Sequence, residues 1–256
     1  MMPPPRTHRF HLILVGIDFS RQSARALRYA AATARAAGGR VVALHAVDPL
    51  LTLARVCTDY PIVEETHAGL ERFVRQTLGA EAARVIACSV AIGPPHQTLT
   101  AEARRLRADV VVLGTSGRRG GSTHVLGSTS EALLRHYEGP VMVVPPRCAE
   151  CRDDWPGSMV ATVAPGSRHP SVLSAAARTA HVFGAWLTLA EPPRRRSRAR
   201  WHPAPLIVLP LPDAARLQAF RQGSAAYAFV RRTAVPVIVV HTGRRIGHLE
   251  TSRPAG

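Results

Sequence analysis

The sequence predicts an α/β fold: an open, parallel, five-stranded sheet with helices on both faces, followed by a truncated second copy. Three observations carry this. Short unbroken apolar runs alternate with segments of three- and four-residue apolar spacing, the pattern of buried parallel strands joined by amphipathic helices. A glycine-rich loop separates one such run from the helix that follows it. The second half of the chain also repeats the first at two fixed offsets.

Residues 12–17 form the first apolar run and end in Asp18-Phe19-Ser20. Ser20 is expected to cap a helix that carries Ala24, Leu27, Ala31 and Ala34 on one face and closes at Gly38-Gly39. Residues 41–44 are a second strand, followed by His45-Ala46-Val47-Asp48. After a loop holding Pro49 and Pro61, residues 64–78 read as a helix with Leu70, Phe73, Val74 and Leu78 aligned. Residues 84–92 are a third strand, broken by Gly93-Pro94-Pro95, and 97–106 are a helix.

Residues 109–113 are the fourth strand. Gly114, Gly117, Gly120, Gly121 and Gly127 then interrupt regular structure, with Arg118 and Arg119 among them. Ser128 is expected to cap a helix to about His136, with Glu131 completing a capping box. Gly139-Pro140 ends it, and Val141 to Val144 is the fifth strand. Glycines let the backbone approach oxygen atoms closely, and a helix N-terminus adds unpaired N–H donors. The loop therefore suits phosphate; a turn selected only for flexibility is the competing reading. In parallel sheets ligands bind beyond the carboxyl ends of the strands. Asp18, Ala46 and the glycine loop all follow strands and are expected to meet on that rim.

At an offset of 146, Leu27, Ala30, Ala31, Ala34 and Gly38 fall on Leu173, Ala176, Ala177, Ala180 and Gly184. At an offset of 96, Leu113, Gly127, Ser128, Arg135, Pro140, Val141, Val143 and Val144 fall on Leu209, Gly223, Ser224, Arg231, Pro236, Val237, Val239 and Val240. The offsets differ by 50, the number of residues the second copy lacks, equivalent to residues 46–95. The site chemistry is lost there as well. Asp18 maps to Ala164, Gly114 to Pro210 and Gly117 to Asp213. Proline offers no N–H and an aspartate repels phosphate.

The formal charge is +16, and all 33 basic residues are Arg. Residues 1–154 carry 19 Arg against 14 acidic residues, and residues 155–256 carry 14 against three. The second half therefore holds most of the net positive charge. Five of its Arg lie within residues 194–200, ahead of Trp201. A nucleic-acid contact and a solvated linker are the two readings of that tract; it fits no named nucleic-acid module, and the linker is favoured.

Of the four cysteines, Cys88 reads as a small core residue, and Cys148-Ala-Glu-Cys151 is a lone pair without the second ligand pair that zinc requires. A redox pair would open a helix after a strand, whereas this one precedes Arg152-Asp153-Asp154-Trp155-Pro156, which reads as a linker. Cys57 carries no assignment. No run approaches 18 apolar residues, so a cytoplasmic protein without a membrane span is expected.

These residues resemble the universal stress protein family in a tandem-domain form. The matching segments are Gly16-Ile17-Asp18-Phe19-Ser20, Leu44-His45-Ala46-Val47-Asp48, Gly93-Pro94-Pro95 and Ala108-Asp109-Val110. The most specific is Gly114-x2-Gly117-x9-Gly127-Ser128, similar to that family's ATP-binding signature. The resemblance implies a Rossmann-like sheet, of the adenine-nucleotide-hydrolase-like kind, holding ATP, with Mg2+ as a companion ion. Asp18 and Ala46 would lie near the adenosine. Gly114, Gly117, Gly127, Ser128 and Thr129 would hold ribose and phosphates, with Ser130 close by. Ser116, Gly121 and His124 depart from the family's usual residues. The family also implies dimerisation through the last strand. In a tandem chain Val141 to Val144 and Val237 to Val240 would pair with each other, and a further homodimer is left open.

The expected organisation is a nucleotide-binding domain at 10–147, a linker at 148–156 and a shortened second domain at 157–243, with flexible termini at 1–9 and 244–256. The expected function is ATP-dependent regulation in a stress response, with the second domain as scaffold. The competing classes are an interaction module with a vestigial site and a nucleic-acid binder led by the Arg tract. An enzyme is not expected. No Walker-type Lys follows the glycine loop, and His124 and Glu131 form no catalytic set.

Overall fold

The structure, a computed structural model, describes residues 11–50, 61–115, 126–151, 155, 158–162, 170–183, 186–190, 206–211 and 224–241. Gly117, Arg118, Arg119, His124, Cys57, Gly223, and the Arg tract with Trp201 lie outside these residues.

The first half runs β1 (Leu12–Gly16), α1 (Arg21–Ala37), β2 (Arg40–Val47), α2 (Ile62–Leu78), α3 (Ala80–Ala83), β3 (Ile86–Ile92), α4 (Pro95–Arg105), β4 (Val110–Gly114), α5 (Ser128–His136) and β5 (Val141–Val144). The local signals act as their chemistry dictates. The Ser20 hydroxyl accepts the Ser23 N–H at 3.1 Å. Gly38 ends α1 in the left-handed region, at φ 70°, where a Cβ is disfavoured. Pro95 opens α4, where its missing N–H costs nothing.

The second half adds β6 (Ser158–Thr162), α6 (Pro170–Phe183), β7 (Trp186–Ala190), β8 (Ile207–Leu211), α7 (Ala225–Arg232) and β9 (Val237–His241). The expected five strands are present and parallel, but they do not end in an open edge at β5. Among the described residues nine strands form one sheet, in the order β3-β2-β1-β4-β5-β9-β8-β6-β7. β5 pairs antiparallel with β9, setting Val141 opposite Val239, Met142 opposite Ile238 and Val143 opposite Val237. Every other pairing is parallel. An unpaired β5 would expose a row of backbone donors and acceptors; β9 covers them.

Successive strands leave β1 first toward β3 and then, from β4, toward β5. Right-handed crossovers made in opposite directions put their helices on opposite faces. Side chains alternate accordingly. Ile13 and Val15 pack with Leu27 and Ala30 of α1, Leu70 and Val74 of α2, and Ala176 and Ala180 of α6. Leu14 packs with Leu99 of α4, Leu133 and Leu134 of α5, and Tyr227 and Val230 of α7.

Three boundaries differ from the sequence reading. β2 extends through Val47, so Ala46 lies within the strand, opposite Ala91 of β3, and not beyond its end. Seven residue pairs along β2 and β3 keep the ladder going past Leu44. Second, Gly127, not Ser128, is the N-cap of α5, and no side chain caps that helix. The expected capping box is absent: Glu131 gives its N–H to the Gly127 carbonyl and its carboxylate to Arg135, at 3.2 Å. Third, the described part of residues 148–155 packs on α1. Tyr29 donates its hydroxyl to the Ala149 carbonyl at 3.0 Å and meets Trp155 edge-on at 5.2 Å. The Arg25 guanidinium donates to the Pro146 carbonyl. Cys148 and Trp155 are buried in the same core.

Candidate functional site

The point where strand order reverses lies between β1 and β4, and a parallel sheet opens a crevice there at its carboxyl rim. Ile17, one residue past β1, donates its N–H to the Leu44 carbonyl at 2.8 Å, so the chain is still tied to the sheet when it reaches Asp18. An Asp18 carboxylate oxygen accepts the Ser20 N–H at 3.0 Å, closing a turn into α1. Between them Phe19 stands at φ 64°, in the left-handed region. A bulky residue there is uncommon and strained. Its ring lies 4.6 Å from the His45 ring and 5.5 Å from the Phe73 ring, and those contacts hold it. His45 Nδ1 lies 2.7 Å from the Ile17 carbonyl, locking β2 to the same turn. Nothing in the sequence marked Phe19 or His45 for this arrangement; a positive φ at a non-glycine residue has no sequence signature.

On the other side of the crevice β4 ends at Gly114, and Thr115 follows it. A Cβ on Gly114 would fall 2.8 Å from the Gln22 Cβ and 3.1 Å from the Gln22 carbonyl. Gly114 is therefore required by the approach of α1 to β4, whatever else it does. The Ser130 hydroxyl donates to the Gly114 carbonyl at 2.7 Å, so this buried hydroxyl fixes the loop entrance. Gly127 donates its N–H to the Thr115 carbonyl at 2.6 Å, tying the exit of the loop to its entrance. Thr115 was not singled out in the sequence, although it directly follows the first glycine of the motif.

The rim thus brings together Asp18, Gly114, Gly127, Ser128, Thr129 and Ser130, with Ala46 on the neighbouring strand. Gly117 lies outside the described residues. α5 presents its first turn there. The N–H groups of Ser128, Thr129 and Ser130 precede the first i→i−4 acceptor, the Gly127 carbonyl, which Glu131 uses. Gly127, as N-cap, has no side chain to turn back onto them. α7 differs. There Ser224 is the N-cap, and its hydroxyl accepts the Tyr227 N–H at 3.1 Å. The same Gly-Ser pair is shifted by one position between the helices: Ser128 is the first helical residue of α5, whereas Ser224 precedes α7 and caps it.

The strongest pKa perturbations lie back along α1. Burial pushes the Cys148 thiol up to about 12, and burial, together with the neighbouring Cys148 and Cys151, also raises the Tyr29 phenol. Burial thus favours the protonated form of this thiol over the thiolate. Among the described residues no group of three or more His, Cys, Asp or Glu side chains is placed to hold a metal ion, and no helix is long and apolar enough to cross a membrane.

Comparison with known proteins accords with this geometry. A curated relative, a universal stress protein encoded in the 3′ region of a QAH/OAS sulfhydrylase gene of Thermus aquaticus, is 30% identical over 142 residues, 53% of this chain and 98% of its own. Among solved structures, a universal stress protein from Archaeoglobus fulgidus DSM 4304 aligns over 91% of this chain and 97% of its own, with a TM-score of 0.62 and 18% identity. A functionally unknown protein from Pseudomonas aeruginosa PAO1 aligns over 92% and 93%, with a TM-score of 0.58 and 15% identity. Both alignments run through both halves of the chain. Residues 9–145, which contain β1 to β5 and the whole rim, match the model of the universal stress protein family, and on that match the chain belongs to this family.

Proposed function

We propose that the first half binds an adenine nucleotide, ATP in the first instance, at the carboxyl rim between β1 and β4, and that the second half is a shortened copy serving as its scaffold in a stress-response regulator. The observation that carries this is the unequal treatment of two related helix starts. α7 satisfies its own N-terminus with Ser224, and α5 leaves Ser128, Thr129 and Ser130 with their N–H groups toward the rim. A helix N-terminus so left suits an anion of phosphate type. Asp18 and Ala46 take the adenosine side. Gly114, Gly117 and Gly127 bring backbone close to the ribose and phosphates, and Ser128 and Thr129 donate to them. Ser130 acts one step back, through its hydrogen bond to the Gly114 carbonyl.

The copy reading is supported by strand order. β7-β6-β8-β9 repeats β2-β1-β4-β5 and lacks only the counterpart of β3 among the described residues. Where the first copy has the acidic and glycine positions, the second has Ala164, Pro210 and Asp213. One nucleotide per chain follows.

Calorimetric titration of the full chain with ATP, AMP and cyclic AMP tests this. One site per chain for at least one of them is expected; no heat and no thermal shift with any of the three overturns it. A sharper test is Ser128→Pro. Proline suits the first helical position, and Gly127, at φ −62° and ψ 148°, already has the extended backbone that precedes a proline. The helix stays while one N–H donor to the phosphates is lost. Affinity should fall about tenfold or more, the scale of one hydrogen bond to a charged group. Unchanged affinity would remove α5 from the site.

A further inference from the structure

The exit of the glycine loop is held by a residue from the other half of the chain. Leu126, the last residue before Gly127, donates its N–H to the Tyr227 phenol oxygen at 3.2 Å. Both residues are buried, Leu126 at 2% and Tyr227 at 4% exposure, so no solvent is at hand to replace the bond. Tyr227 is itself fixed, because its own N–H is accepted by the Ser224 cap of α7. The next N–H in the chain, that of Gly127, goes to Thr115, and the Gly127 carbonyl accepts from Glu131. A continuous series of hydrogen bonds therefore runs from the start of α7 through Leu126 and Gly127 to the end of β4 and the first turn of α5. Glu131, which stands in α5 where α7 has Tyr227, makes no such reach and pairs with Arg135.

The geometry points to Tyr227 as a positioning residue for nucleotide binding: the second half completes the site of the first by holding the Leu126 N–H, one residue before the Gly127 cap of α5. This rests on the nucleotide-binding reading above. A buried N–H without an acceptor is costly, and a peptide left with one turns to find another. The Leu126 N–H sits in the peptide just before the one that carries the Gly127 N–H, so turning it rotates the Leu126 backbone and draws the Gly127 N–H off the Thr115 carbonyl. The first turn of α5 then loses the anchor that sets the direction of its three leading N–H groups. Binding would still be possible, but the ordering of that turn would fall on the binding step, and affinity would drop. No group of Tyr227 need touch the nucleotide.

The test compares three full-length proteins: the parent chain, Tyr227→Phe, which removes only the phenol oxygen, and Val230→Ala, which damages the same buried cluster while keeping the Tyr227 hydroxyl. Each is titrated with ATP by calorimetry, and Leu126 amide exchange and the thermal midpoint are followed alongside. Tyr227→Phe should bind ATP about tenfold more weakly and exchange the Leu126 amide faster; Val230→Ala should lower the midpoint and leave affinity within about twofold. Two results overturn the inference while leaving the nucleotide site standing: Tyr227→Phe binding like the parent, or Val230→Ala losing as much affinity as Tyr227→Phe. A parent chain that binds none of ATP, AMP or cyclic AMP ends the nucleotide reading itself, and this inference with it.

Discussion

Met142 faces Ile238 at the middle of the antiparallel β5–β9 pair, and the two lie 96 residues apart, the offset that aligns the second half of the sequence with the first. The flanking pairs exchange under the same offset: Val141 meets Val239, and Val143 meets Val237. A local twofold axis thus passes between Met142 and Ile238, as in a self-complementary dimer interface contained in one chain. Both side chains are fully buried.

One consequence concerns cooperativity. A sheet continuous across this axis should unfold as a unit. Denaturation followed by tryptophan fluorescence, which reports Trp155, Trp186 and Trp201, should coincide with denaturation followed by far-ultraviolet circular dichroism. Met142→Ala should cost about 2–5 kcal/mol, the usual range for such a truncation in a core, and shift both curves together. Two separated transitions would show that the halves fold independently.

Helix capping supplies a second contrast. Ser224→Ala removes the hydroxyl that accepts the Tyr227 N–H and should cost about 1 kcal/mol. Ser128→Ala removes no cap, because Gly127 holds that position, and should change stability by less than about 0.5 kcal/mol. Equal losses from the two would contradict the one-residue shift between the helices. Urea midpoints of the two variants decide it.

The amino ends of the strands offer a control site. The Asp109 carboxylate accepts the His11 N–H at 2.7 Å and the Leu12 N–H at 2.9 Å, clipping the start of β1 to the start of β4. Asp109→Ala should cost about 2–3 kcal/mol, since two donors lose a charged acceptor. It should leave nucleotide affinity unchanged, because this clip lies at the opposite rim. A variant that kept its stability but lost affinity would reverse that assignment.

The buried thiol gives a pH dependence of known sign. Burial raises the folded Cys148 pKa to about 12, above its value in the unfolded chain. The protonated thiol is favoured by the fold, so its contribution is fully present below about pH 9 and is lost as pH rises toward 12. Tyr29 is shifted in the same direction and adds to the loss at the alkaline end. Stability should therefore decline above about pH 9, and Cys148→Ala should flatten the lower part of that decline. Alkylation of Cys148 at pH 8 should be slow in the native chain and fast after denaturation. Rapid native labelling would show that the thiol is not held as placed here.

Much of the fold was legible because its signals are local. Unbroken apolar runs specify strands buried on both faces, the Ser20 hydroxyl is satisfied by an N–H three residues ahead, and Gly38, without a Cβ, takes a left-handed helix stop without strain. The same locality made the glycine-rich rim readable as a place for an anion.

What the sequence left open is what depends on distance through space. Ser128 and Ser224 belong to identical Gly-Ser pairs, yet only Ser224 caps its helix. The Thr115 carbonyl takes the Gly127 N–H and holds Gly127 at the cap position of α5, and no local pattern encodes that bond. In the sequence Gly114 reads as part of the glycine loop, and only the packing of α1 shows that Gln22 leaves no room there for a Cβ. Phe19 gave no sign of its positive φ, because the force that holds it there comes from His45 and Phe73, 26 and 54 residues away. The sequence alone located the strands and main helices of the first half and the glycine-rich loop between two of them, because those signals are local. Only the tertiary structure decided which N–H groups at that loop remain for a ligand, because hydrogen-bond partners are allotted by proximity and Tyr227 reaches Leu126 across 101 residues of chain.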